Sequence, residues 1–193
     1  MEKDAGRGTA YNLREAQWTD ADTDAMFAVL GRYFIIFQSL EGKLDQILLL
    51  GWGHENWTAS QAKLARMRNA EKIDAVHHLV LSSPDFARVH TRPEWCSDFE
   101  HIIQHLHEER DYRNALAHSQ YLFDFVKIGY PPLRSLRNKG ADKRRFDQEY
   151  LTKETQDELL RRVTELAVKV GWVHLQLVHD YKASAVPTGE ESL

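Results

Sequence analysis

The chain has 193 residues, 42% of them hydrophobic, and a net charge of −4, which predicts one domain with a substantial core. An acidic chain does not bind nucleic acid over its whole surface, so any contact with RNA needs a local basic patch. The single cysteine, Cys96, excludes an internal disulfide and a C-x-x-C zinc site. The N-terminus has no signal-peptide pattern, and no apolar run approaches the ~20 residues of a membrane helix. We therefore expect a cytoplasmic protein without membrane contact.

Hydrophobic periodicity predicts four long helices, at about residues 20–51, 58–81, 93–119 and 152–181. Asp20 or Asp22 could cap the first helix, and Gly51 and Gly53 would end it. The second helix opens on the capping-box pattern Thr58–Gln61, and the third on Thr91–Glu94 with a proline in its first turn.

The segment between the third and fourth helices, residues 120–151, breaks the helical rhythm. It begins with the strand-favouring run Tyr121–Ile128 and continues into a short basic segment, so we expect a long connection that could form a small hairpin. Residues 1–19 are predicted to be a flexible N-terminal arm, and residues 182–193 a disordered tail. The predicted fold is all-α, an up-and-down four-helix bundle at residues 20–181 with a hairpin-like insertion between helices 3 and 4.

The second half of the third helix has an unusual polar pattern. Its buried stripe of Phe99, Ile103 and Leu106 continues, at helical steps, to Arg110, Arg113 and Ala117. Burying an unpaired guanidinium is expensive, so these arginines either pair with acids such as Glu109 or Asp111, or line a polar cleft. Arg113 and His118 are five residues apart, roughly 140° around a helix, so two facing copies of the helix could bring them into one cleft. A solvated, salt-bridged face is the alternative interpretation.

The run from Arg113 to His118, Arg-Asn-Ala-Leu-Ala-His, resembles the R-N-x-x-x-H signature of the HEPN superfamily. The position of this run near the end of the third helix also resembles that family. So does the first helix, in which aromatic residues precede the Leu-Glu-x-x-Leu pattern of Leu40–Leu44. The resemblance covers about residues 20–181.

The resemblance implies a metal-independent endoribonuclease that uses no cofactor and forms its active site across a homodimer. It would be a toxin or a phage-defence effector, with a cognate antitoxin protein as a possible partner. His118 would be the general acid or base, Arg113 would hold the phosphate, and Asn114 would orient His118 or a phosphate oxygen. The RNA contacts would come from basic residues that could equally be a solvated loop: Arg110, Arg134, Arg137, Lys139, Lys143, Arg144 and Arg145.

Two other functions stay open. One is a non-catalytic HEPN-like scaffold that binds nucleotides, RNA or protein, and the other is an unrelated helical interaction protein. His101 and His105 have a spacing that can bind metal, but no acid completes the set, so we expect no metal. Cys96 is expected to be a packed thiol.

Overall fold

The computed structural model describes residues 17–137 and 146–182, which are mainly α-helical. Six helices and one small sheet occur in these ranges. The helices are α1 (Asp20–Trp52), α2 (Trp57–Leu64), α3 (Asn69–Ser82), α4 (Ala87–His90), α5 (Pro93–His118) and α6 (Lys153–Asp180). The strands are β1 (Gln120–Leu122), β2 (Leu133–Arg137) and β3 (Phe146–Tyr150). The prediction of a mainly helical protein is confirmed, the description as all-α needs correction because of the sheet, and the four-helix bundle stays a prediction.

The described residues divide into two compact units. One contains the described parts of Met1–Leu30 and His118–Gln156, and the other those of Gly31–Ala117 and Asp157–Leu193. The predicted arm at 1–19 and the predicted tail at 182–193 lie outside the described residues, except for residues 17–19 and Lys182.

In the smaller unit, β1, β2 and β3 form an antiparallel sheet in that order. Trp18 packs with Met26 and Leu151 in its core, and the Trp18 backbone N–H donates to the carbonyl of Gly129 at 3.0 Å. The end of the predicted arm is therefore packed. The expected small hairpin is a three-stranded sheet, and Val126–Ile128, in the strand-favouring run, forms a 3₁₀ turn.

Helix α1 begins and ends on local signals. Thr19, and neither Asp20 nor Asp22, caps its start: the Asp22 N–H donates to Thr19 Oγ1 at 3.2 Å, and the Thr19 N–H donates back to Asp22 Oδ2 at 2.9 Å. Gly53 follows the last helical residue with a φ of +77°, the left-handed conformation that terminates many helices.

The prediction of one helix over residues 58–81 is wrong, because the chain leaves the helical path between Leu64 and Asn69. The Glu71 carboxylate accepts the Arg68 N–H at 2.8 Å, which starts α3 as a separate helix. Helix α2 begins at Trp57 without a side-chain cap, so the Thr58–Gln61 pattern does not form the expected capping box.

The core of the larger unit is built from the apolar faces of its helices. Buried side chains from α1, α3, α5 and α6 include Tyr33, Phe37, Leu44, Ile73, Val76, Phe99, Leu106, Val163, Val170 and Leu177. In the described ranges no helix combines the length and apolarity needed to cross a membrane.

Candidate functional site

Glu109 on α5 is the centre of a buried polar network in the larger unit. Its side chain is only 6% exposed. The Tyr33 hydroxyl donates to Glu109 Oε1 at 2.7 Å, and Arg162 donates to Oε2 through Nη2 at 2.6 Å and Nε at 3.2 Å. Burial raises the pKa of Tyr33, and the hydrogen bond to Glu109 raises it further. The carboxylate is thereby fully partnered, as a buried charge must be.

Arg113 lies one turn further along α5 and is held differently. Its guanidinium carbon is 5.8 Å from the ring centroid of Phe34 and 5.6 Å from that of Phe37. Nη1 donates to Asn114 Oδ1 at 3.2 Å, whereas Nε is buried with no hydrogen-bond partner among the described residues. Two aromatic rings and a neutral amide therefore fix this cation, with no carboxylate beside it in the part of the chain that the structure describes.

The other arginines in comparable positions are all neutralised. Besides Arg113, four arginines with described side chains are buried or half-buried. Each of them pairs with an acid: Arg92 with Asp180, Arg110 with Asp111, Arg134 with Glu149, and Arg162 with Glu109. Arg113 is thus the exception within the described residues, and a half-buried, unpaired guanidinium is suited to receiving an anion from outside the chain.

Asn114 and His118 complete the motif. The Asn114 side-chain oxygen accepts the hydrogen bond from Arg113, and the NH₂ group of the same amide takes no part in this bond. His118 is the last residue of α5 and is exposed to solvent. The meeting of Arg113 and His118 in one cleft between two copies of the helix stays a prediction.

The residues predicted to bind RNA have different surroundings. Arg110 donates to Asp111 Oδ1 through Nη2 at 2.7 Å, which is one of the two arrangements expected for it. Arg134 is buried in β2, with Nη2 2.9 Å from Glu149 Oε2. Arg137 ends β2, but its side chain lies outside the described residues, as do the remaining basic residues of this segment, Lys139, Lys143, Arg144 and Arg145.

The sequence did not indicate a polar cleft that lies beside Glu109 in the larger unit. The cleft has a volume of about 430 Å³ and lies between α5 and α6. Tyr112 and Arg162 both line it, with the Arg162 guanidinium carbon 4.5 Å from the Tyr112 ring centroid. Its residues come from two different helices, and Glu109 and Arg162 are 53 positions apart in the chain, so only the fold brings them together.

The described residues contain no group of three or more histidine, cysteine or acidic side chains that could hold a metal ion. The His101 and His105 pair thus finds no third ligand there. Cys96 is a half-buried thiol whose Sγ lies 3.6 Å from the Val89 carbonyl oxygen, which it contacts as a weak donor.

No family model matches the chain, and no curated protein or solved structure is detectably similar to it.

Proposed function

We propose that this protein is a metal-independent endoribonuclease of the HEPN type whose active site forms between two copies of the chain. The observation that carries the proposal is the state of Arg113, a half-buried guanidinium without a carboxylate partner among the described residues. Holding a cation in this way costs stability, and such costs are typical of functional sites. The motif resemblance supplies the substrate class.

The proposed reaction is transphosphorylation of RNA. The ribose 2′-oxygen attacks the adjacent phosphorus, and its proton passes to a His118 imidazole. The bond from phosphorus to the 5′-oxygen breaks, and that oxygen takes up the proton from the same His118 imidazole, leaving a 2′,3′-cyclic phosphate and a 5′-hydroxyl. Arg113 would stabilise the charge that builds on the phosphoryl oxygens, for which a planar guanidinium fixed in advance is well suited.

Asn114 has a positioning role in this proposal. Its side-chain oxygen holds Arg113 Nη1 at 3.2 Å, and its NH₂ group would orient a phosphate oxygen or His118. The basic segment at 134–145 would guide the RNA backbone, except for Arg134, because this arginine is buried against Glu149. A cytoplasmic toxin or phage-defence effector held by an antitoxin protein is the biological setting that the same resemblance suggests.

A complementation assay tests whether the site is shared between copies. Arg113→Ala and His118→Ala chains are each assayed alone, and then after co-expression in one cell. Each variant alone is expected to be inactive. The mixture should recover about a quarter of wild-type cleavage, since half of the dimers are mixed and each of those has one intact site of two.

Two exposed residues provide matched controls. Arg66→Ala and His101→Ala remove the same side chains from exposed helix or turn positions outside the motif, and should leave cleavage unchanged. If wild-type dimers cleave none of several RNA substrates, the ribonuclease proposal is wrong. The proposed function is then that of a non-catalytic scaffold. If the mixture of variants recovers nothing while wild type is active, the shared site is wrong.

A further inference from the structure

Arg134 lies in β2, the central strand of the sheet, and its side chain is only 9% exposed. Glu149 of β3 stands opposite it in the strand register. The Glu149 carboxylate oxygen Oε2 accepts hydrogen bonds from Arg134 Nε at 3.1 Å and from Nη2 at 2.9 Å. The third guanidinium nitrogen, Nη1, donates to Ser119 Oγ at 3.3 Å. The buried guanidinium therefore joins β3 to Ser119 within the smaller unit.

Ser119 is the one residue between α5, which ends at His118, and β1, which begins at Gln120. The pairing of β1 with β2 starts at Gln120, opposite Ser135, and so does not include Ser119. Many helices end on a residue with a positive φ, but Ser119 is not among the described residues that have one. The side chain of Ser119 thus gives the end of α5 an attachment to the sheet that the backbone pattern alone does not provide.

The His118 imidazole has no such attachment of its own. It is exposed and makes no hydrogen bond, ion pair or ring contact among the described residues, so its position follows from its backbone. The last turn of a helix frays unless a neighbouring group holds it. A displacement of ~1 Å in a reacting group can lower a rate by ~100-fold. A general base at a helix end therefore needs the next residue to be held in place.

The ion pair with Glu149 does not by itself explain the contact with Ser119. Glu149 neutralises the buried charge of Arg134 through Nε and Nη2, which a structural ion pair requires. The planar guanidinium has its N–H groups in a fixed fork, so the bonds to Glu149 also fix the direction of Nη1. That direction leads to the residue after His118.

We propose that Arg134 is a positioning residue for His118 and acts through Ser119. It holds the connection between α5 and β1, and so keeps the His118 imidazole in one place for proton transfer. This inference rests on the proposed function, because that function gives His118 its role. It replaces the RNA contact predicted for Arg134 from the sequence, whose loss would weaken RNA binding and leave the chemical step unchanged.

The kinetics of RNA cleavage by the full chain test the proposal. Ser119→Ala removes the acceptor of the Arg134 hydrogen bond and leaves the Arg134 pair with Glu149 in place. We expect kcat to fall by at least about tenfold with KM unchanged, because the substitution displaces the base without removing an RNA contact. Ser119→Thr keeps the hydroxyl and should retain most of kcat. Ser135→Ala, which removes a serine hydroxyl from the same sheet, is the matched control.

The other end of the connection gives a second test. Arg134→Met combined with Glu149→Gln removes the donor to Ser119 without leaving a lone buried charge. This double variant should lose as much kcat as Ser119→Ala, and adding Ser119→Ala to it should cause no further loss. A thermal scan checks that each variant is folded at the assay temperature. With an active wild type, an unchanged kcat in folded Ser119→Ala, or a raised KM alone, would overturn the proposal.

A measurement without RNA separates this inference from the proposed function. The order parameter of the His118 backbone amide, from ¹⁵N relaxation, should fall from about 0.85 in wild type to below about 0.6 in Ser119→Ala. It should stay at the wild-type value in Ser119→Thr and Ser135→Ala. An unchanged order parameter in Ser119→Ala would overturn the proposal even if wild type cleaves RNA. A fall would support the role of Arg134 in holding residue 118, whereas an inactive wild type would refute only the proposed function.

Discussion

Replacing Arg113 by methionine should hardly change the free energy of unfolding, although the guanidinium is half-buried. Replacing Arg162, also half-buried and in the same unit, should be costly. The difference follows from their partners: Arg162 neutralises the buried Glu109, whereas Arg113 contacts two aromatic rings and a neutral amide. Methionine keeps much of the length and apolar contact of the arginine side chain in both variants.

The magnitudes follow from the contacts. Loss of Arg162 leaves the Glu109 carboxylate, which is 6% exposed, without its ion-pair partner. When both partners of such a pair are buried, the loss typically lowers the free energy of unfolding by ~3–5 kcal/mol. Because Arg162 is itself 37% exposed, we expect ~2–3 kcal/mol. Loss of Arg113 removes ~1 kcal/mol of cation–π attraction and ~1 kcal/mol of hydrogen bonding. It also removes a buried Nε that has no hydrogen-bond partner among the described residues, and this gain in stability is ~1–3 kcal/mol. The net change for Arg113→Met should therefore be within about 1 kcal/mol of zero.

Urea denaturation at pH 7 measures both variants, with the transition midpoint and slope fitted separately. Arg161→Met is the control, because its ion pairs with Glu158 and Glu165 are exposed and contribute little. If Arg113→Met destabilises the protein as much as Arg162→Met does, Arg113 is a structural residue. The reasoning that assigns it to an external anion would then be refuted.

Three further substitutions test the structure elsewhere. Tyr33→Phe removes the hydrogen bond to the buried Glu109 and should cost ~2 kcal/mol at pH 7. Because the folded state raises the pKa of Tyr33 above its ordinary 10.0, wild-type stability should fall as the pH rises above about 10, and less steeply in this variant. Asp22 has a pKa lowered to about 2 by hydrogen bonds from Lys153 and Thr19, so its contribution is present above its ordinary 3.8 and is lost as the pH falls towards 2. Asp22→Asn should abolish that part of the acid sensitivity in a pH series of thermal midpoints, and an unchanged acid profile would contradict the assignment. Gly53→Ala should cost ~1 kcal/mol in urea melts because the φ of residue 53 is +77°, whereas Gly31→Ala, within a helix, should not destabilise.

The helices were the most predictable part of the structure. The start of α5 at Pro93 and its end at His118 agree with the predicted 93–119, because a proline in the first turn and a long apolar stripe are strong local signals. The break between α2 and α3 was missed because residues 65–68 contain neither glycine nor proline. Only the contact of Glu71 with the Arg68 N–H marks it, and an acid three residues after an arginine is common within helices.

The sheet and the buried network could not be predicted, for a different reason. Each of the strands β1, β2 and β3 has at most five residues and is stabilised by its neighbour in the sheet, not by its own sequence. Tyr33 and Arg162 lie 76 and 53 positions from Glu109, so their meeting depends on how the helices pack. The motif residues Arg113, Asn114 and His118 were apparent in the sequence, but the absence of an acid beside Arg113 among the described residues was not.

RNA cleavage by the purified protein at low salt, with EDTA present, tests the central proposal most directly. Wild type should yield fragments with 2′,3′-cyclic phosphate and 5′-hydroxyl ends, and the folded variants Arg113→Ala and His118→Ala should yield none. Cleavage that requires a divalent metal, or that persists in either folded variant, would contradict the proposed mechanism.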